Sequence, residues 1–201
     1  MEQKPKALAA CTAVLELLDA GVDINIMTVS QVAEQAGVGK GTLYDYFTSK
    51  EDMVVSAMAY EVQRIAESLS EKVNRESGFE QKVYRIFACM EEHTVENKGV
   101  CRFVKLSNHT FSMGNALHEE MERRKNEFGG LYQVLESLCR DAREEGLILP
   151  AIPMELAVMT LATKFLMFLM YLESRQEMKD MDPASMKRFL YKGLLADLHV
   201  S

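Results

Sequence analysis

The stretch from residue 28 to residue 50 constrains the fold of this chain more than any other. Thr28 and Gln31 have the three-residue spacing of a capping box, which predicts that a helix begins here. Small apolar residues give this helix a narrow inward stripe, ending near Ala36. Gly37 can adopt the positive φ that ends a helix in a tight turn. The pattern therefore predicts a short capped helix followed by a sharp change of direction.

A second short helix is predicted directly after this turn, over about residues 40–47. Leu43 and Phe47 are four residues apart, so they point inward together, and Val38 can close the turn against them. Two short helices joined by a glycine-containing turn form a helix-turn-helix, whose second helix can enter the major groove of DNA. The alternative is an ordinary capped helical hairpin, which leaves the exposure of Tyr44 and Tyr46 unexplained.

The outward face of the second helix suits contact with DNA. Gly41 lets a backbone approach a partner closely, and Asp45 lies on the same side. Tyrosine and threonine hydroxyls are donors to phosphate oxygens, and Lys40 can reach a guanine edge. Lys50, at the start of the next helix, can contact phosphate.

The whole segment resembles the tetracycline-repressor (TetR) family of bacterial transcription regulators. The matching residues are Thr28, Val32, Ala33, Ala36, Gly37, Val38, Lys40, Gly41, Thr42, Leu43, Tyr44, Tyr46, Phe47 and Lys50. The resemblance covers about the first quarter of the chain. It implies an all-α homodimer that binds a pseudo-palindromic double-stranded DNA operator and represses transcription until a small apolar or amphipathic effector releases it. The residues expected to contact DNA are Thr28, Lys40, Gly41, Thr42, Tyr44, Tyr46 and Lys50.

Helical patterns continue through the rest of the chain, and few strand-like alternations occur. We expect a three-helix head over residues 1–48 and a helical effector-binding and dimerisation domain over residues 49–201. Thr48 and Glu51 have capping-box spacing, which predicts a long linking helix to about residue 74. Another long helix is predicted over 115–146, with a bend or close packing point at Gly129 and Gly130. A shorter helix near 100–106 and a loop at 109–114 are expected between them.

The last two predicted helices are candidates for a dimer interface. Residues 156–172 are apolar almost all round, and Asp182 with Pro183 opens the final helix. A membrane span needs about 20 apolar residues, and Lys164 interrupts this run, so we expect no membrane association. Two helices per subunit would form a four-helix bundle about a two-fold axis, with Leu169 and Leu194 at the interface. The alternative is that both stripes are intramolecular core.

Aromatic and methionine side chains are concentrated in the middle and late helices, and the chain has 14 Met. Methionine tolerates varied ligands, which favours an apolar effector pocket with a few polar anchors. An ordinary Met-rich core explains the same pattern equally well. The pocket residues we expect are Phe87, Met90, His93, Phe103, Tyr132, Lys164, Met167 and Phe168.

The net charge opposes any role in coating nucleic acid. It is −7 for the 201 residues, and residues 1–50 hold four lysines against six carboxylates. A helical sensor or adaptor that acts through a protein partner is therefore the competing function. Sequence-specific DNA binding remains our interpretation, with modest affinity per head strengthened by dimerisation.

The sequence lacks the common motifs of catalytic, phosphate-binding and metal-binding sites. The chain has no glycine-rich phosphate loop, no His-Glu-x-x-His and no nucleophile elbow, so we expect no enzyme activity, no cofactor and no metal. Four scattered cysteines, with three histidines near Cys89 and Cys101, leave a thiol- or metal-responsive regulator as an open alternative. Without a signal peptide, the protein is expected to be cytoplasmic with reduced thiols.

Overall fold

The computed structural model describes residues 5–95, 115–175, 177 and 180–199, and within these ranges the regular structure is entirely helical. The α-helices are α1 (Pro5–Asp19), α2 (Val29–Gln35), α3 (Lys40–Tyr44), α4 (Lys50–Val73), α5 (Phe79–Val95), α6 (Asn115–Arg123), α7 (Gly130–Glu144), α8 (Met154–Glu173) and α9 (Pro183–Leu198). A single 3-10 turn, Lys125–Phe128, lies between α6 and α7. The predicted all-α class is confirmed.

The described residues form two compact units, and the division falls within α4 between Arg64 and Ile65. The first unit contains residues 5–64 and 115–129, and the second contains residues 65–95 and those from 130 onward. The sequence had suggested a boundary at 48/49, where the short head helices end. Residues 115–129 belong to the first unit although they are far from the head in sequence.

The first unit is built on three short helices packed against each other and against the start of α4. Helix α1 contacts α2 and α3, and α2 contacts α3. Buried residues from all three join Met53 and Val54 of α4 in one core, with Leu15, Ile24 and Leu43 among its most enclosed side chains. The first turns of α4 are thus part of the head.

Local capping explains where the helices of this unit begin. Thr28 and Gln31 form the predicted capping box, with both reciprocal hydrogen bonds present. The predicted box of Thr48 and Glu51 is wrong by one residue. Helix α4 begins at Lys50, and the Asp52 amide donates to Ser49 Oγ at 3.0 Å, so Ser49 is the capping residue. Thr48 lies outside the helix and donates to Asp52 instead.

The second unit packs α5, α7, α8 and α9 together. Asp182 caps α9 by accepting from the Ser185 amide at 3.0 Å, as predicted. The predicted long helix over 115–146 is interrupted at Arg124, where the backbone leaves the helical region before the 3-10 turn. The close packing point at Gly130 is confirmed, because a Cβ on Gly130 would lie 3.0 Å from the Ala66 side chain. The helix and loop expected at 100–114 lie outside the described residues.

Helix α8 is the one helix of the described part that is long and apolar enough to suit a membrane span. This is weak support for such a role, because the core helix of a soluble protein meets the same criteria. Ala157, Leu161, Phe165 and Phe168 of α8 are buried within the unit. Lys164 pairs with Asp197 of α9 at 2.6 Å.

Candidate DNA-binding interface and effector region

The turn between α2 and α3 sets the position of the second helix. Gly37 has φ +66°, so it supplies the left-handed residue that the turn requires. The Val38 amide donates to the Ala33 carbonyl at 3.0 Å, and the half-buried Val38 side chain packs on the head core. The helix predicted over 40–47 ends earlier, at Tyr44. Leu43 within α3 is fully buried and Phe47 beyond its end is nearly so, and both fix the helix to the core.

The outer face of α3 is open to solvent. Lys40, Gly41 and Asp45 are exposed, and Tyr44 exposes 52% of its surface, so none of these side chains is required by the core. Thr42 is half-buried. Tyr46 is also half-buried and packs against the head core, so the expectation that both tyrosines stand exposed is wrong for Tyr46. The structure therefore brings Lys40, Gly41 and Tyr44 together on one exposed helical surface.

Thr28 and Lys50 are held by contacts within the head. The Thr28 hydroxyl donates to Gln31 Oε1 at 2.9 Å and accepts from the Gln31 amide at 3.2 Å. The Lys50 ammonium donates to the Asn25 carbonyl at 2.8 Å. An ammonium has three donors, so Lys50 can bind a phosphate and this carbonyl together.

Two carboxylates of the head accept hydrogen bonds from uncharged amide groups. Glu16 accepts from the Gln35 amide group at 2.7 Å, and Asp23 accepts from the backbone and side chain of Asn25. Asp45 is different, because it is exposed at the C-cap position that follows α3. It is the acid best placed to oppose a phosphate backbone.

Two residues of the first unit were missed by sequence reasoning. Ile26 exposes 73% of its surface in the loop before α2, which makes it the most exposed of the large apolar side chains described. Arg124 lies far away in sequence but binds Asp52 at the start of α4 at 2.8 Å. A salt bridge between positions 72 residues apart leaves no local sequence signal.

The expected effector region contains a closely packed aromatic cluster. The ring of Phe87 on α5 meets Phe165 and Phe168 of α8 edge-on, with centroids 5.2 and 4.7 Å apart. Phe168 also stacks on Tyr171 at 5.8 Å. Phe87, Met90 and Phe168 are buried. These three predicted pocket residues are placed in the interior of the second unit, where the rings fill space against each other.

The other predicted pocket residues that the structure describes are not placed in this cluster. Tyr132 and Met167 lie at the surface. Lys164, the expected polar anchor, pairs with Asp197 at 2.6 Å. Phe103 and the side chain of His93 lie outside the described residues.

The apolar surface of the last two helices differs in detail from the prediction. Leu169 and Leu194 are buried within the unit, so they were the wrong choice of interface residues. Other large apolar side chains of α8 and α9 remain exposed, and they are Leu156, Met159, Leu166, Met167, Met170 and Phe189. Helix α8 therefore has one face in the core of the unit and another face exposed to solvent.

The described cysteines have environments that suppress reactivity. Burial raises the pKa of Cys11 to about 11 and of Cys139 to about 12 from the ordinary 9.0, and it raises the pKa of Cys89 as well. Such thiols stay protonated at neutral pH, which weighs against their use as sensors. Among the described residues, no group of three or more His, Cys, Asp or Glu side chains is arranged to hold a metal ion.

Comparison with known sequences points to one family. Residues 22–57 match the family model described as bacterial regulatory proteins, tetR family. The fatty acid metabolism regulator protein of Bacillus subtilis (strain 168) is 29% identical over 75 residues, which are 34% of this chain and 39% of that protein. The match thus spans about two fifths of the length of this relative.

Solved structures share the fold over the whole chain. The Bacillus subtilis transcriptional regulator FadR, solved in complex with stearoyl-CoA, aligns with a TM-score of 0.71 and 17% identity, covering 96% of this chain and 99% of that one. The fatty acid degradation regulator FadR from Bacillus halodurans aligns with a TM-score of 0.73 and 18% identity, covering 100% of both chains. At these identities, the likeness establishes the arrangement of helices.

Proposed function

We propose that this chain is a TetR-family transcriptional regulator, as its amino-terminal domain and its fold support. It represses transcription by binding a pseudo-palindromic operator, and it dissociates from the operator when an acyl effector binds. It acts in the cytoplasm as a homodimer, without enzyme activity. The proposal has three separate parts, which are DNA binding, dimerisation and effector release. Each part rests on different residues and has its own test.

The exposed outer face of α3 supports the DNA-binding part. Lys40, Gly41 and Tyr44 share this face, and Leu43 beneath them fixes the helix to the core. A recognition helix needs this combination of a rigid inner face and unoccupied outer donors. The residues matching the family model include this helix and the helix before it.

The acidity of the head favours a second candidate function. Residues 1–50 carry more carboxylates than lysines, and an adaptor that binds a basic protein partner would have the same balance. Selection of bound duplexes from a random pool at low salt discriminates between the two. We expect enrichment of one pseudo-palindromic sequence, with half-sites about one helical turn or a multiple of it apart. An unenriched pool would favour the adaptor.

The exposed apolar face of α8 and α9 supports dimerisation. Met159, Met170 and Phe189 each expose much of their side chain, which is costly for a monomer in water. A second copy, related by a two-fold axis, would cover the same surface on both subunits. Such a dimer presents two heads, which matches the symmetry of the expected operator.

A long-chain acyl thioester is the effector that we propose. Two comparisons support it: the partial match to a fatty acid metabolism regulator and the shared fold with a FadR bound to stearoyl-CoA. The interior of the second unit, rich in aromatic side chains around Phe87 and Phe168, suits an acyl chain. These rings are in mutual contact, so a bound chain must separate them.

The test uses acyl-CoA thioesters of increasing chain length, with the free fatty acid and CoA alone as controls. We expect thermal stabilisation by the long thioesters and weaker effects from either half alone. Effector affinity is then titrated with and without operator DNA. Because coupling is reciprocal, operator must weaken effector binding by the factor by which effector weakens operator binding, about 5- to 150-fold. Equal affinity in both titrations would show that the bound compound is not an inducer.

Release requires that the effector prefer an arrangement that cannot bind DNA. We propose that α4 carries this change, because its first turns belong to the head core and its last turns to the second unit. A shift of this helix would alter the separation of two heads that must match fixed half-sites.

A further inference from the structure

Arg124 lies at the break between α6 and the 3-10 turn, 72 residues along the chain from Asp52, and binds the beginning of α4. Its Nη1 atom donates to Asp52 Oδ1 at 2.8 Å and to Ser56 Oγ at 2.6 Å. Its Nε and Nη2 atoms donate to the two carboxylate oxygens of Glu127. The guanidinium is therefore fixed along both edges, a use for which its planar fork is better suited than a lysine ammonium.

Asp52 extends this contact to the residue that joins the head to α4. Its second oxygen, Oδ2, accepts from the Thr48 amide at 2.8 Å and from the Thr48 hydroxyl at 3.1 Å. Thr48 directly follows Phe47, which is buried in the head core below α3. One carboxylate thus connects Arg124 to the segment between α3 and α4.

The Arg124–Asp52 pair is largely shielded from water. The side chains expose 19% and 15% of their surfaces, and Ser56 beside them is buried. Phe128, four residues after Arg124, packs against the head core and adds an apolar contact from the same segment. A shielded, hydrogen-bonded pair tolerates the loss of one partner badly, whereas an exposed pair contributes little.

We propose that Arg124 is a positioning residue for operator binding. It holds the first turn of α4 against the head and thereby makes the placement of α3 depend on residues 115–129. The inference rests on the proposed DNA-binding function and adds to it the point at which a sequence-distant segment controls the head. Arg124 acts through Asp52 and Thr48 and makes no contact with DNA.

The experiment measures operator affinity and its salt dependence for the full chain carrying Arg124→Met, Arg124→Lys or Arg123→Met. Arg123 is the matched control, because it is the neighbouring arginine, exposes 66% of its side chain and pairs only with Glu120 among the described salt bridges. Circular dichroism and thermal unfolding establish that each variant is folded. We expect Arg124→Met to weaken operator binding by about 5- to 150-fold, the usual range for coupling between sites. We expect Arg124→Lys to recover part of this loss and Arg123→Met to have no effect.

The salt dependence separates positioning from direct contact. Removing a residue that touches phosphate lowers the steepness of log affinity against log salt by about 0.9. Because Arg124 is proposed to make no contact with DNA, the steepness must stay unchanged in Arg124→Met. A reduced slope, an equal loss in Arg123→Met or wild-type affinity in folded Arg124→Met would each overturn the inference. If Arg124→Met does not fold, the operator affinity of Arg124→Lys is the test. Wild-type affinity in Arg124→Lys would then contradict the inference. If the wild type itself selects no operator, the proposed function fails instead.

Discussion

The ammonium of Lys50 lies 2.8 Å from the carbonyl oxygen of Asn25 and closes the loop between α1 and α2 onto the start of α4. Lys50 was expected to contact phosphate. Its hydrogen bond to Asn25 holds the ammonium group in one position within the head. Two of its three donors remain for a partner. The loop and any phosphate bound at Lys50 are therefore held by one group.

Replacing Lys50 with methionine should weaken operator binding and lower the salt slope by about one unit, because one phosphate contact is lost. Affinity is measured by fluorescence anisotropy from low to high salt. The matched control is Lys192→Met, which removes the same charge from an exposed position on α9. A slope that is unchanged in Lys50→Met would assign Lys50 to loop closure alone.

Tyr44 should contribute to DNA binding but not to folding. The substitution Tyr44→Phe removes one hydrogen bond to a charged phosphate, worth about 1.5–3 kcal/mol, so affinity should fall roughly 10- to 150-fold. The free energy of unfolding should change by less than about 0.5 kcal/mol, because the side chain is exposed. Tyr46→Phe is the comparison, since that ring packs on the core. Unaltered affinity in Tyr44→Phe would show that the Tyr44 hydroxyl does not contact DNA.

Asp45, directly after α3, tests whether the DNA-facing surface reads a base or repels the phosphate backbone. If it only repels phosphates, Asp45→Asn should tighten binding to operator and to unrelated DNA by the same factor. If it accepts from a cytosine amine, the same change should relax specificity at a single base pair of the operator. We expect uniform tightening, because the exposed carboxylate adds to an already acidic head. Binding to a set of single-base operator variants gives the answer.

Charged substitutions on the exposed apolar face of α8 and α9 should weaken the dimer, whereas the same substitution of an exposed methionine elsewhere should not. Met170→Glu or Phe189→Glu would bury an unpaired charge, at a cost on the order of 3–5 kcal/mol, so the dimer dissociation constant should rise about 100-fold or more. The control is Met181→Glu, an exposed methionine between α8 and α9. Light scattering across a dilution series measures the change. Variants of the buried Leu169 and Leu194 would instead disturb the core of the subunit.

Stability should decline with pH above about 9 because of the buried thiols. The folded state raises the pKa of Cys11 to about 11 and of Cys139 to about 12, so it holds protons that the unfolded chain, with thiol pKa values near 9.0, has released. The stabilisation is complete below pH 9 and is lost as the pH rises toward the folded-state pKa values. In Cys139→Ala the decline of the free energy of unfolding between pH 8 and pH 10 should be shallower than in the wild type. Identical pH profiles would show that Cys139 does not titrate differently on folding.

Local sequence signals predicted the helix-turn-helix well. The Thr28–Gln31 box and the positive φ of Gly37 depend on residues within one or two turns, and the structure confirms both. The cap of α4 was placed one residue early, since Thr48 and Ser49 are both good capping residues and only geometry distinguishes them.

Nonlocal features could not be read from the sequence in the same way. Helix α8 is apolar almost all round, so periodicity did not tell that Leu169 faces its own core while Met170 faces outward. The contact between Arg124 and Asp52 joins residues far apart along the chain. Phe87 and Phe168 lie inside the second unit. Whether such rings line a space or fill it depends on their mutual packing, which the sequence does not give.

The acidic head has a consequence for how such a regulator would search a chromosome. Binding to arbitrary DNA depends almost wholly on cations that displace counterions, and the first 50 residues offer only four lysines. The millions of competing non-operator sites would therefore retain little of the protein. Most molecules would diffuse freely between encounters, and occupancy of the operator would follow the concentration of competent dimer closely.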